Sequence, residues 1–109
     1  MVRGDIWTTS GGRDYAGKPR PVVIIQERAF ADLNSVTICP FTSDPTELAL
    51  FRISVEPSDQ NGLKAVSRIM ADKVTTVSKT KLGKQVGRLG DRDIVRLNRA
   101  LVVFLGLAG

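Results

Sequence analysis

The chain has 109 residues, one cysteine, no histidine and a formal charge of +5, from sixteen Lys and Arg against eleven Asp and Glu. That length suits a single domain, residues 1 to 109, with a core of its own. One cysteine excludes an internal disulfide, and the lack of histidine removes the commonest general acid/base and the usual Cys/His zinc sites. The positive balance favours a polyanionic partner through steering and counterion release, without identifying it.

In chain order, Asp5 to Thr8 after Gly4 predicts a first short strand, with Ile6 and Trp7 on opposite faces. TTSGGRDYAGKP, residues 8 to 19, is read as a loop of the kind that often carries function. Val22 to Gln26 is the second strand, and its uninterrupted β-branched run Val22 to Ile25 is expected to be buried on both faces. Pro19 and Pro21 fix the backbone at its mouth and push Lys18 and Arg20 into extended geometry, so the Arg20 guanidinium is held with little backbone freedom. Ser35 to Phe41 predicts a third strand, in which Cys39 is a small core residue and Pro40 marks an edge or bulge before Thr42 and Ser43.

Farther on, LFRISVEP alternates Phe51, Ile53 and Val55 with Arg52, Ser54 and Glu56, the period of a strand with one wet face. SDQNG, residues 58 to 62, is turn chemistry, and VSRIMADKVTTVS supplies one or two strands around Ala71 and Asp72. KLGKQVGRL is a short basic strand or turn. Asp91 is a plausible N-cap for a terminal helix on which Ile94, Leu97, Leu101, Leu105 and Ala108 recur at three and four, with Asp93 near the positive dipole end. Val95, Val102, Val103 and Phe104 give this helix more apolar surface than one stripe needs, and a second subunit is one candidate to cover it. Many strands followed by one helix predict a mainly β domain, a strongly bent antiparallel sheet or small barrel packed on a C-terminal helix. MVRGDIW lacks the apolar core of a signal peptide, and no run is long enough to span a bilayer, so a cytoplasmic protein is expected.

RGDIW at 3 to 7, the Gly-rich loop, KPRPVVIIQ at 18 to 26, TICPFTS at 37 to 43, IMADKVTTVSKTKLGKQVGRL at 69 to 89 and the closing helix together resemble the MazF/PemK toxins across nearly the whole chain. The resemblance implies a small SH3-like barrel of the CcdB/PemK kind, a homodimer, and a toxin of a type II toxin–antitoxin system that cleaves single-stranded mRNA without metal or cofactor and is neutralised by the acidic segment of a cognate antitoxin. Residue by residue, the family's R-P-V arginine falls on Arg20, its catalytic hydroxyl on Thr42 beside Ser43, and its acidic residue of the later strand on Asp72, followed here by Lys73. Some members carry a His in the first loop and an Arg two residues before the acidic one; this chain has no His and has Met70 there.

For such a reaction Arg20 would donate to phosphate oxygens, Thr42 Oγ would orient the attacking 2′-hydroxyl or the phosphate, and Asp72 would help remove a proton. Tyr15, with Arg13 and Lys18, forms a loop on which a base could stack while phosphates are neutralised, and Ser43 and Lys73 complete the expected RNA contacts. On residues alone each has a plainer reading: Arg20 a solvated basic turn, Thr42 and Ser43 a strand-to-turn sequence before Asp44 and Pro45, and Asp72 and Lys73 a surface pair. Two other functions share this fold class, a gyrase poison resembling CcdB and a non-enzymatic SH3-like binding module.

Overall fold

The computed structural model describes residues 1–10, 19–45 and 51–107. Among the described residues there are seven strands and one α-helix: β1 (Asp5–Thr9), β2 (Arg20–Ile24), β3 (Ser35–Thr42), β4 (Arg52–Val55), β5 (Ser67–Met70), β6 (Thr75–Ser78), β7 (Leu82–Arg88) and α1 (Asp91–Phe104). All pairings are antiparallel, in the order β4-β5-β3-β2-β1-β7, with β6 also on β3. The predicted bent antiparallel sheet with a C-terminal helix is therefore the observed architecture, and among the described residues its ladder stays open, with β4 and β7 as unjoined ends.

The Val22 to Ile25 run is buried on both faces, as its composition predicts. Val23 and Ile25 join the main core with Ile6, Phe41, Ile69, Leu89 and the helix residues Leu97, Ala100 and Leu101. Val22 and Ile24 face the other way, into a smaller cluster with Val36 and Ile38, covered by Trp7, Val77 and Leu82. Such a strand has no wet side, which is why it reads as continuous Val and Ile rather than as an alternation. β4 is the contrasting case: Ile53 and Val55 are buried while Arg52 and Ser54 remain on the outer face.

Pro40 does not mark an edge or a bulge. It lies within β3, the strand with the most neighbours, opposite Val22 of β2. Because proline has no N–H, Val22 and Pro40 can only form the non-hydrogen-bonded kind of antiparallel pair, with the imide nitrogen turned away from β2. On that far side β3 changes partner. β6 covers Ser35 to Ile38 and β5 covers Phe41 and Thr42, so the missing donor falls where neither ladder needs it. Cys39 beside it is fully buried, and burial pushes its thiol up to about 12, which makes it the inert core residue expected.

Two boundaries also shift. Asp72 is not in a strand; Ala71–Lys73 forms a 3-10 turn between β5 and β6. Gly90, not Asp91, is the N-cap of α1, while Asp91 and Asp93 occupy the first turn, where their charge complements the helix dipole. The helix stops at Phe104, earlier than its apolar periodicity predicts. Gly106 adopts a left-handed φ of 73°, and the Gly106 and Leu107 amides return to the Val103 and Val102 carbonyls, a Schellman ending. Leu105 is thus an exposed cap, and Ala108 lies outside the described residues. Arg3 of RGDIW ties the core together by donating to the Ile25 carbonyl and to Asn98 Oδ1 on α1.

Candidate active site

Register decides which side chains meet. The β2/β3 register runs as far as Val22 and Pro40, and two residues beyond each, Arg20 and Thr42 both line one cleft. Thr42 is in turn paired with Arg68 on β5, and Met70 on β5 with Arg52 on β4. With a period of two along each strand, Arg20, Thr42, Met70 and Arg52 all fall on one face of the sheet, opposite the core face of Phe41, Ile69 and Ile53.

These residues line a shallow cleft of about 280 Å³, together with Asp44, Lys73 and the edge of Phe41. Arg20 and Lys73 are exposed, whereas Thr42 and Arg52 are half-buried. Thr42 Oγ1 accepts a hydrogen bond from the Asp44 amide at 3.1 Å, which fixes the rotor and leaves its O–H able to donate into the cleft. The loop after β3 therefore orients the hydroxyl, a local turn device of the kind threonine favours.

Asp72 sits behind the cleft and is fully engaged. Arg52 Nε and Nη2 reach its two carboxylate oxygens at 3.1 and 3.0 Å in a bidentate fork. The Arg52 hydrogen bonds, more than any other influence, hold the Asp72 carboxyl below the usual carboxylate range. A carboxylate so held is a weak proton acceptor near neutrality, and its two oxygens face Arg52.

Of the residues expected from sequence, Arg20, Thr42 and Lys73 share the cleft, and Asp72 joins it through Arg52. Ser43 is exposed beyond the end of β3 and is not part of the lining. Arg13, Tyr15 and Lys18 lie outside the described residues. Arg52 and Asp44 were missed. In sequence Arg52 was simply the polar alternate of a strand, and nothing local tells that its cross-strand partner precedes Asp72. Where some members of the resembled family carry Arg, Met70 is almost fully buried, and the guanidinium beside Asp72 comes from the neighbouring strand instead.

A larger cleft of about 580 Å³ lies between the β4 to β5 turn and the start of α1. There Glu56 and Asp93 offset Arg92 and Arg96, and Arg96 already donates to Asp93 and to the Ser54 carbonyl, both at 2.8 Å. Compared with it, the smaller cleft combines an oriented hydroxyl with three cationic side chains. Among the described residues no group of three His, Cys, Asp or Glu is gathered in a way that could hold a metal ion.

The fold is thus a small antiparallel β-sheet with a terminal helix, and its cleft presents cations and an oriented hydroxyl. The family described as PemK-like, MazF-like toxin of type II toxin-antitoxin system matches residues 2–105. The chain belongs to that family. It is 52% identical, over the whole of both chains, to a probable endoribonuclease MazF of Mycolicibacterium smegmatis. Its fold is similar to that of a mycobacterial endoribonuclease solved in complex with its cognate antitoxin, with a TM-score of 0.83 and 23% identity over 98% of this chain and 96% of that one. The Mycobacterium tuberculosis toxin MazF-mt6 gives a TM-score of 0.78 and 25% identity over 94% and 96%.

Proposed function

We propose that the cleft cuts single-stranded RNA by directing a 2′-hydroxyl onto its own adjacent phosphate, with no metal ion taking part. The chain is an endoribonuclease toxin of a toxin–antitoxin system. The observation that carries the chemistry is the meeting of Arg20 and Thr42, 22 positions apart in sequence, in one cleft with Lys73. Arg20 donates to the phosphate oxygens as their charge grows toward the pentacovalent state, and Lys73 adds a mobile point charge. Thr42 donates its O–H to a phosphate oxygen, one of its two lone pairs being taken by the Asp44 amide; as the O2′–P bond forms the 2′-hydroxyl proton passes to water, and as the P–O5′ bond breaks the 5′-oxygen takes a proton from water. Arg13, Tyr15, Lys18 and Ser43 are proposed to contact flanking nucleotides.

The test is incubation of the purified protein with single-stranded RNA in EDTA, followed by mapping of the ends. Cleavage that persists and leaves 5′-hydroxyl ends is the expected result; intact RNA, or 5′-phosphate ends, would overturn the mechanism. A gyrase poison or a passive binding module would leave RNA whole, and neither has an observation in its favour.

The antitoxin partner is supported by the structural neighbour solved with one, and its acidic segment would compete with RNA for the same cations. A homodimer is proposed as well, because Val95, Val103, Phe104 and Leu105 of α1 and its cap are about half exposed. Sedimentation at micromolar concentration should give the dimer mass, and a monomer there would remove this part of the proposal. Among the described residues no helix is long and apolar enough to cross a membrane, and a cytoplasmic site of action, where mRNA is found, is proposed.

A further inference from the structure

We propose that Arg52, held in place by Asp72, is a second guanidinium clamp of the cleft and binds an RNA phosphate oxygen next to the one bound by Arg20. The proposal rests on the RNA-cleavage reading above and adds to it a residue and a division of labour.

Arg52 enters from β4, on the same face as Thr42 and across from Met70. Its fork to Asp72 uses Nε and Nη2. Among the described residues Nη1 makes no hydrogen bond, and the side chain forms part of the cleft wall. The pair is largely sheltered, with 13% of the Arg52 side chain and 17% of the Asp72 side chain exposed. A guanidinium docked along its Nε edge cannot swing, so its outer edge keeps one orientation whether or not a phosphate is present. Such a donor needs little reorganisation as charge develops on the substrate.

Charge balance points the same way. Among the described residues, Asp44 and Asp72 are the carboxylates at the cleft, and they stand against Arg20, Arg52 and Lys73. Arg52 adds one fixed cation to this set, and a doubly charged transition state gains from each one. Asp72 is then a positioning residue: it sets the angle of Arg52 and carries no proton, as its depressed titration and its doubly occupied oxygens require.

The experiment compares Arg52→Gln, Asp72→Asn, the double variant and Arg52→Lys in two assays. One is RNA cleavage; the other is binding of an all-2′-deoxy strand, which lacks the attacking hydroxyl, as a function of salt. Arg52→Gln should lower kcat/KM at least about tenfold and reduce the slope of log affinity against log salt by about 0.7, the loss of one single-strand phosphate contact. Arg52→Lys should restore the salt slope but not the full rate, because a point charge replaces a fixed fork. Asp72→Asn should lose several-fold alone and nothing further when combined with Arg52→Gln. Thermal midpoints are measured on the same preparations, and the single variants, which leave one partner of a sheltered pair behind, should fall further than the double variant.

Parental salt slope and rate in Arg52→Gln would overturn the proposal while leaving the RNA-cleavage reading intact. Additive losses in the double variant would overturn the positioning role by giving Asp72 chemistry of its own. A parent protein that cuts no RNA would bring down the underlying reading, and the clamp with it.

Discussion

Arg20→Ala is expected to lower RNA cleavage by about 10² to 10³-fold, the cost of removing one well-placed donor to a developing oxyanion, with the folded state unchanged. The side chain is exposed, whereas the adjoining Val22 to Ile25 segment that anchors β2 is buried in both clusters. Losing the guanidinium therefore uncovers no core atom, and the flanking prolines keep the backbone at the strand mouth. Thr42→Ala should behave alike, with a loss of about 10²-fold. Arg20→Lys separates charge from geometry: it retains the cation but loses the parallel pair of N–H donors, so a rate between parent and Ala is expected. Initial cleavage rates and thermal unfolding on the same preparations check this. Parental cleavage by Arg20→Ala, or a loss of activity that only tracks unfolding, would remove Arg20 from the site.

The second large effect concerns stability and arises where the β4 to β5 turn presses on β7. Gly62 has a φ of 69°, and a Cβ there would lie 2.3 Å from the Val86 carbonyl oxygen. Gly87 is its counterpart on β7, where a Cβ would meet the Asn61 and Gln60 carbonyl oxygens at 2.4 and 2.5 Å. Both obstacles are backbone, which cannot rotate aside as a side chain can. The turn is itself rigid: buried Asn61 accepts from the Ser58 and Leu63 amides and donates to the Glu56 carbonyl, and the Arg88 amide bonds to Gln60. Gly62→Ala and Gly87→Ala should each cost about 3 kcal/mol, overpacking being combined with left-handed strain in the first. For a domain of this size that is a fall of roughly 15 °C in thermal midpoint. Gly90→Ala is the control: its nearest obstacle is the end of the Gln60 side chain at 3.4 Å, and its φ of −69° suits any residue. A midpoint for Gly87→Ala equal to that of Gly90→Ala would show that the turn does not brace β7.

What could be read from sequence was local. Unbroken Val and Ile in Val22 to Ile25 told of a strand without a wet side, and the alternation from Phe51 to Glu56 told of one with it. Leu97 and Leu101 found the buried stripe of α1, and the prolines around Arg20 marked a cation with a fixed backbone. These patterns follow from the two periods of regular backbone and need no knowledge of partners. Pairing is different, because it joins residues far apart in the chain. Pro40 read as an edge signal, for nothing near it shows that β3 exchanges β6 for β5 at that point. Asp72 read as an open carboxylate, since the arginine that occupies it lies twenty positions earlier on another strand. Local pattern is enough for most of the strands, the helix and the candidate guanidinium and hydroxyl. That Arg20 and Thr42 share a cleft and that Arg52 takes both oxygens of Asp72 follows from three-dimensional packing alone, because the register of a sheet is set by all its faces together, and a slip of one residue would turn each of these side chains to the other side.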